Sequence, residues 1–106
     1  MRETFFYAAS NTKRFVIDLS KWDVSKVTDM YRMFAEVAPE ATIFGLGDLS
    51  GWNTSNVTTM YEMFCNTGLS ASWYLDCSRW NVSKVTSHPY FNSRVGDKVI
   101  EPHWVY

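Results

Sequence analysis

Histidine, cysteine and proline are all scarce in this chain of 106 residues, which holds two, two and three of them. Cys65 and Cys77 lack both a CxxC pairing and a neighbouring histidine cluster, so the spacing that zinc sites need is missing and no metal site is expected. Both are read as free thiols packed like small hydrophobes. No GxSxG or other nucleophile motif accompanies His88 or His103, so neither a catalytic residue nor a cofactor site is assigned. Charge of either sign is not in excess. A formal net charge of −1 gives no electrostatic footprint for nucleic acid or an anionic membrane. No apolar run nears the roughly 18 residues that a membrane-spanning helix requires, and none is expected to insert. The opening MRETFFYAASNTKR has an early acid and too short an apolar run for a signal peptide, so the chain as given reads as cytoplasmic.

What the chain does have is self-similarity. Leu19 to Phe34, LSKWDVSKVTDMYRMF, returns thirty residues later as Leu49 to Phe64, LSGWNTSNVTTMYEMF, with ten of sixteen positions identical. A third copy, CSRWNVSKVT, starts at Cys77 and decays after Thr86, where Ser87-His88-Pro89 replaces the pattern. A period of 28 to 30 residues is the mark of stacked supersecondary units. With 46% hydrophobic and 17% aromatic residues, such units can bury a core.

Within each unit, alternation around Phe15 to Leu19 predicts a short strand, and Asp18-Leu19-Ser20 recurs at Asp48 and Asp76. Trp22, Trp52 and Trp80 follow at a fixed offset and are expected to form a ladder. Asp23-Val24-Ser25 and its counterparts at Asn53 and Asn81 read as turns, with Ser25, Ser55 and Ser83 as candidate N-caps. Met30, Met33, Phe34 and Val37, and again Met60, Met63 and Phe64, fall at helical spacing and predict short amphipathic helices. Thr4 to Ser10 is expected to be the helix of a truncated first unit, and the apolar tail from Val99 a C-terminal cap. The fold class that follows is α/β: a short leucine-rich-repeat-like solenoid of about three strand-turn-helix units with atypical caps. Its parts are an N-terminal half-repeat cap (1–17), repeat 1 (18–47), repeat 2 (48–75) and a degenerate repeat 3 with the C-terminal cap (76–106), forming one domain over 1–106. The structural core is assigned to Trp22, Trp52, Trp80, Met30, Met33, Phe34, Met60, Met63 and Phe64.

The run D-L-S-x-W-[DN]-[VT]-S-x-V-T-x-M-Y-x-M-F resembles the repeat of the BspA-like bacterial surface-protein family, from Asp18 to Thr86. That resemblance implies a leucine-rich-repeat-like stack, surface display, adhesion and protein contacts, with no family catalytic residues to transfer. About three units are read in the chain as given, and neither a secretion leader nor a wall anchor is expected from its residues.

Function is read accordingly as a non-enzymatic protein-interaction or ligand-binding module. Its partners would be another protein or a second copy in a homodimer, with carbohydrate as a further candidate. The aromatics outside the repeat frame, Trp73, Tyr74, Tyr90, Trp104 and Tyr106, form the candidate interaction surface, since exposed apolar patches mark contacts. The alternative is a small hydrolase or carbohydrate-active protein using the C-terminal histidines and aromatics. A column of aspartates, Asp18, Asp48 and Asp76, is read as turn chemistry rather than a calcium site, because the dense oxygen ligands of a calcium loop are absent.

Overall fold

The computed structural model describes residues 2–9 and 11–105. Four short strands occur in it: β1 (Arg14–Val16), β2 (Ile43–Gly45), β3 (Leu75–Asp76) and β4 (Val99–Ile100). β1 pairs with β2 in parallel, Phe15 opposite Phe44, and β3 pairs with β4 in parallel, Asp76 opposite Ile100. Single parallel bridges join Asp29 to Thr59 and Thr59 to Ser87. The copies of the repeated segment therefore lie side by side in register, each residue beside its counterpart.

The expected helices do not form. Among the described residues there is no helix, and the segment from Met30 to Ala38 is a run of tight turns. Arg32, Glu36 and Ala38 have φ of 50°, 60° and 43°, and their counterparts Glu62, Asn66 and Gly68 repeat those signs. A right-handed helix admits none of these values. The hydrogen bonds explain the choice. Met33, Ala35 and Val37 donate N–H groups three residues back, to Met30, Arg32 and Phe34, closing successive turns. The intervening amides of Met30, Arg32, Phe34 and Glu36 donate instead to the carbonyls of Thr59, Tyr61, Met63 and Cys65 in the next copy. Met60, Glu62, Phe64 and Asn66 do the same to Ser87, Pro89, Phe91 and Ser93. Half the amides thus hold the turn and half hold the neighbouring copy, so no backbone donor remains for an i→i−4 ladder. The apolar spacing that suggested a helix arises here from three-residue turns.

The same correction reaches the N-terminus. Glu3, Tyr7 and Ala9 have φ of 55°, 61° and 55°, so this stretch is turns too, its Glu3, Phe5 and Tyr7 amides bonding to Tyr31, Met33 and Ala35. Ser10, the last residue of the expected helix, lies outside the described residues. Ser25, Ser55 and Ser83 cap no helix; their amides close two-residue turns onto the side chains of Asp23, Asn53 and Asn81 at 3.0–3.1 Å. The leucine-rich-repeat-like α/β solenoid of strand-turn-helix units is accordingly not the architecture. A radius of gyration of 12.6 Å and extents of 36 × 26 × 21 Å describe a small compact globule, close to the roughly 13 Å of a folded domain of this length.

One core runs through the globule. Leu19, Met30, Met33, Phe34, Leu49, Met60, Met63, Phe64 and Cys77 are fully buried. Phe5, Phe34 and Phe64 stack at 5.3–5.4 Å between centroids, and Trp52 stacks on Trp80 at 6.0 Å. Each of these indoles also reaches back one copy, Trp52 Nε1 donating to the Leu19 carbonyl at 2.9 Å and Trp80 Nε1 to that of Leu49 at 2.7 Å. Trp22 is preceded in the ladder by no other tryptophan among the described residues. It rests on Phe5 at 5.7 Å and stays 39% exposed. At Gly68, φ of +51° and a 2.7 Å approach of Trp73 Nε1 to the place a Cβ would occupy both demand glycine. At the C-terminal end Trp104 lies flat on His88, 3.9 Å between centroids, and edge-on to Phe91.

Candidate functional site

A groove of about 480 Å³ opens where two copies meet on the strand side, lined by Gly47, Asp48, Ser50, Tyr74, Leu75, Asp76 and Arg79. Its floor follows from local chemistry. Leu75 is buried in the core while Tyr74, one residue earlier, must face outward by the period of a strand, and it is 66% exposed. Asp48 and Asp76 are counterparts in successive copies, each followed two residues later by a serine whose amide donates to Oδ1, at 3.0 Å from Ser50 and 2.9 Å from Ser78.

These bonds stabilise the carboxylate form. Asp76 is held below the ordinary aspartate value by the Ser78 hydroxyl, then its amide, with Arg79 adding a smaller pull. Asp48 is lowered by the Ser50 amide, then the hydroxyl, and Arg79 again helps while Asp76 opposes. Asp18, the first of the column, is lowered in the same way by Ser20. The groove therefore presents an exposed phenol ring, two ionised carboxylates and one guanidinium. It contains neither a histidine nor a cysteine.

Residues 1–97 match the family described as Mycoplasma protein of unknown function, DUF285. The chain belongs to the DUF285 family. No curated protein and no solved structure matches it.

The aromatics expected to make the binding surface of this DUF285 member are dispersed over several contacts. Trp73 packs on Phe44 at 4.6 Å and donates from Nε1 to the Gly68 carbonyl at 3.0 Å, so it serves the fold. Trp104 covers His88 and Phe91 and bonds Glu101 at 3.0 Å. Tyr90, 64% exposed, meets Tyr61 edge-on at the end of a column in which Arg2 lies over Tyr31 and Tyr31 stacks on Tyr61 at 5.0 Å. Of the four that are described, Tyr74 alone lines the groove. Tyr106 lies outside the described residues. The core set is placed as follows: Trp52, Trp80, Met30, Met33, Phe34, Met60, Met63 and Phe64 are buried, and Trp22 is the exposed exception.

His103 is exposed, and His88 is spent as the stacking surface for Trp104. No group of three or more histidine, cysteine, aspartate or glutamate side chains gathers in metal-binding geometry among the described residues. A second, smaller cleft of about 80 Å³ lies between Phe6, Tyr7, Arg32, Ala35, Glu36, Glu62 and Cys65. Its charges are mutually engaged: Arg32 meets Glu62 at 2.8 Å and Glu36 accepts from Asn66 at 2.8 Å. Burial and then the nearby Glu62 and Glu36 raise the Cys65 thiol above its usual range, which keeps it protonated and a poor nucleophile. Burial raises Cys77 much further. No helix is long and apolar enough to cross a membrane among the described residues.

Sequence reasoning missed Asp48, Asp76 and Arg79 as groove residues because it read the aspartate column as turn chemistry alone. A signal was present: Tyr74 and Arg79 interrupt the copied frame on either side of Asp76, where the first unit has Val16 and Lys21 around Asp18.

Proposed function

We propose that the chain is a non-enzymatic protein-binding module and that the Tyr74 groove is its docking site. The observation that carries this reading is the company Tyr74 keeps. An exposed tyrosine and an arginine in one concave site, ringed by fixed carboxylates, is the composition of an interface hot spot. Carboxylates held ionised by serine donors offer a partner fixed hydrogen-bond acceptors. The resemblance to BspA-like surface repeats, whose members are associated with adhesion and protein contacts, points the same way.

The experiment is affinity capture from extracts with the wild-type chain, the Tyr74→Ala chain and the Arg79→Ala chain as parallel baits. A partner retained by wild type and lost from both variants supports the reading. Equal retention by all three removes the groove from consideration. A second reading has one specific observation behind it, since an open tyrosine face beside carboxylates and a serine also suits the apolar and hydroxyl faces of a sugar. A glycan array probed with wild type and Tyr74→Ala separates the two: sugar binding that depends on Tyr74 would replace the protein-docking reading.

A further inference from the structure

The two ends of the stacked copies are finished differently. At the C-terminal end the outer edge of β4 is already satisfied, Asn92 Nδ2 donating to the Val99 carbonyl at 3.0 Å and the Val99 amide to Val95 at 3.2 Å. At the N-terminal end the outer edge of β1 is covered only in part: Thr12 Oγ1 donates to the Arg14 carbonyl at 3.1 Å, and among the described residues nothing caps the backbone of Val16. The Lys13 carbonyl and the Ile17 amide bond toward β2, so the alternation of a strand turns the Val16 amide and carbonyl outward. The Val16 side chain is 56% exposed. Trp22 tells the same story independently: Trp52 and Trp80 are each 4% exposed and bond a carbonyl one copy back, whereas Trp22 is 39% exposed and its indole N–H has no such partner. An outward amide and carbonyl beside an apolar side chain are a template for pairing.

We infer that a second copy of this chain seats on this end, β1 running antiparallel to β1 about a two-fold axis through Val16. Charge selects this occupant and register. Centring the pair on Val16 sets Arg14 of each copy opposite Asp18 of the other, on the same exposed face of the strand, giving two ion pairs by symmetry. Bonds from Ser20 hold that Asp18 ionised. The closed C-terminal edge leaves no matching surface for head-to-tail growth, so the assembly stops at two. This inference uses the β1 edge rather than the Tyr74 groove and stands apart from the function proposed for it.

The test is solution mass by light scattering over a concentration series from the micromolar range upward. Wild type is expected to rise from 12.3 kDa toward twice that mass. Val16→Lys, which sets two ammonium groups face to face on the axis, is expected to dimerise about 100-fold more weakly, with its circular dichroism and low-concentration unfolding curve unchanged. Val16→Cys in a Cys65→Ser background is expected to be joined into a dimer by a short bismaleimide linker, because opposed residues of an antiparallel hydrogen-bonded pair lie roughly 5.5 Å apart between Cα atoms. Three results overturn the inference: a wild-type chain that stays at 12.3 kDa throughout, a dimer that Val16→Lys leaves intact, or a dimer in which Val16→Cys does not cross-link.

Discussion

Asp23, Asn53 and Asn81 close the same turn with different chemistry, each accepting the amide of a serine two residues on. Only Asp23 titrates. Its carboxyl is lowered by the Ser25 hydroxyl, which donates at 2.6 Å, and then by the Ser25 amide. A folded-state value below the unfolded one adds stability that is complete above the unfolded pKa near 3.8 and is lost as pH falls through the folded value. Asp18, Asp48 and Asp76 act in the same direction, so the melting temperature should drop steeply between about pH 4 and pH 2. Asp23→Asn, which copies the residue already used at the two counterpart positions, should make that drop shallower while leaving the fold unchanged. A series of thermal melts against pH reads both effects.

Arg94 illustrates the strain in the turns. It is exposed and sits at φ of 70°, a conformation that costs a side-chain-bearing residue about 1–2 kcal/mol, part of which glycine would return in chain entropy. Arg94→Gly should therefore raise stability by about 0.5–1 kcal/mol, visible as a higher urea midpoint at unchanged slope. Gly68, whose counterpart in the preceding copy is Ala38, marks the opposite case. Both positions have positive φ, but only at Gly68 do Trp73 and Phe44 crowd the place of a Cβ.

At the scale of elements, the turn run is held less by propensity than by what the next copy supplies. Phe34 shows both sides of this: its amide bonds the Met63 carbonyl at 2.9 Å, and its ring lies between Phe5 and Phe64. The far-ultraviolet spectrum should accordingly lack the paired minima of helix. Trp52→Ala removes a 4% exposed indole, its bond to Leu19 and its stack on Trp80, and should cost about 3–5 kcal/mol, enough to unfold a domain this small. Trp22→Ala should cost well under half of that, about 1 kcal/mol, and chemical denaturation of the two variants compares them directly. The sequence made the copies, the apolar positions and the turn residues legible because burial and side-chain bonding are local to each unit. It could not distinguish a helix from a turn run, since Met30, Met33, Phe34 and Val37 satisfy both spacings and the deciding bonds come from Thr59, Tyr61 and Met63, about thirty residues away. The groove was half legible for a related reason. Tyr74 stood out as an aromatic outside the frame, whereas Asp48 and Asp76 belonged to the frame and gained neighbours only on folding.

For the whole molecule, the dominant fact is that the backbone bonds joining the copies mostly span 27 to 30 residues, as from Tyr7 to Ala35, Arg32 to Tyr61 and Phe64 to Phe91. Such a chain must close long loops before any pairing rewards it. Folding should take milliseconds to seconds at 25 °C rather than the microseconds of a helical domain of similar size, and stopped-flow tryptophan fluorescence measures it. The same register governs how the gene can change. Loss of one residue between Thr28 and Glu36 would shift every donor past its acceptor in the next copy and turn the aromatic column out of line, whereas the connection between Ala41 and Asp48 already absorbs two extra positions relative to its later counterpart between Ala71 and Asp76. Small insertions and deletions are therefore confined to that connection, and elsewhere the coding sequence can lengthen or shorten only by whole copies.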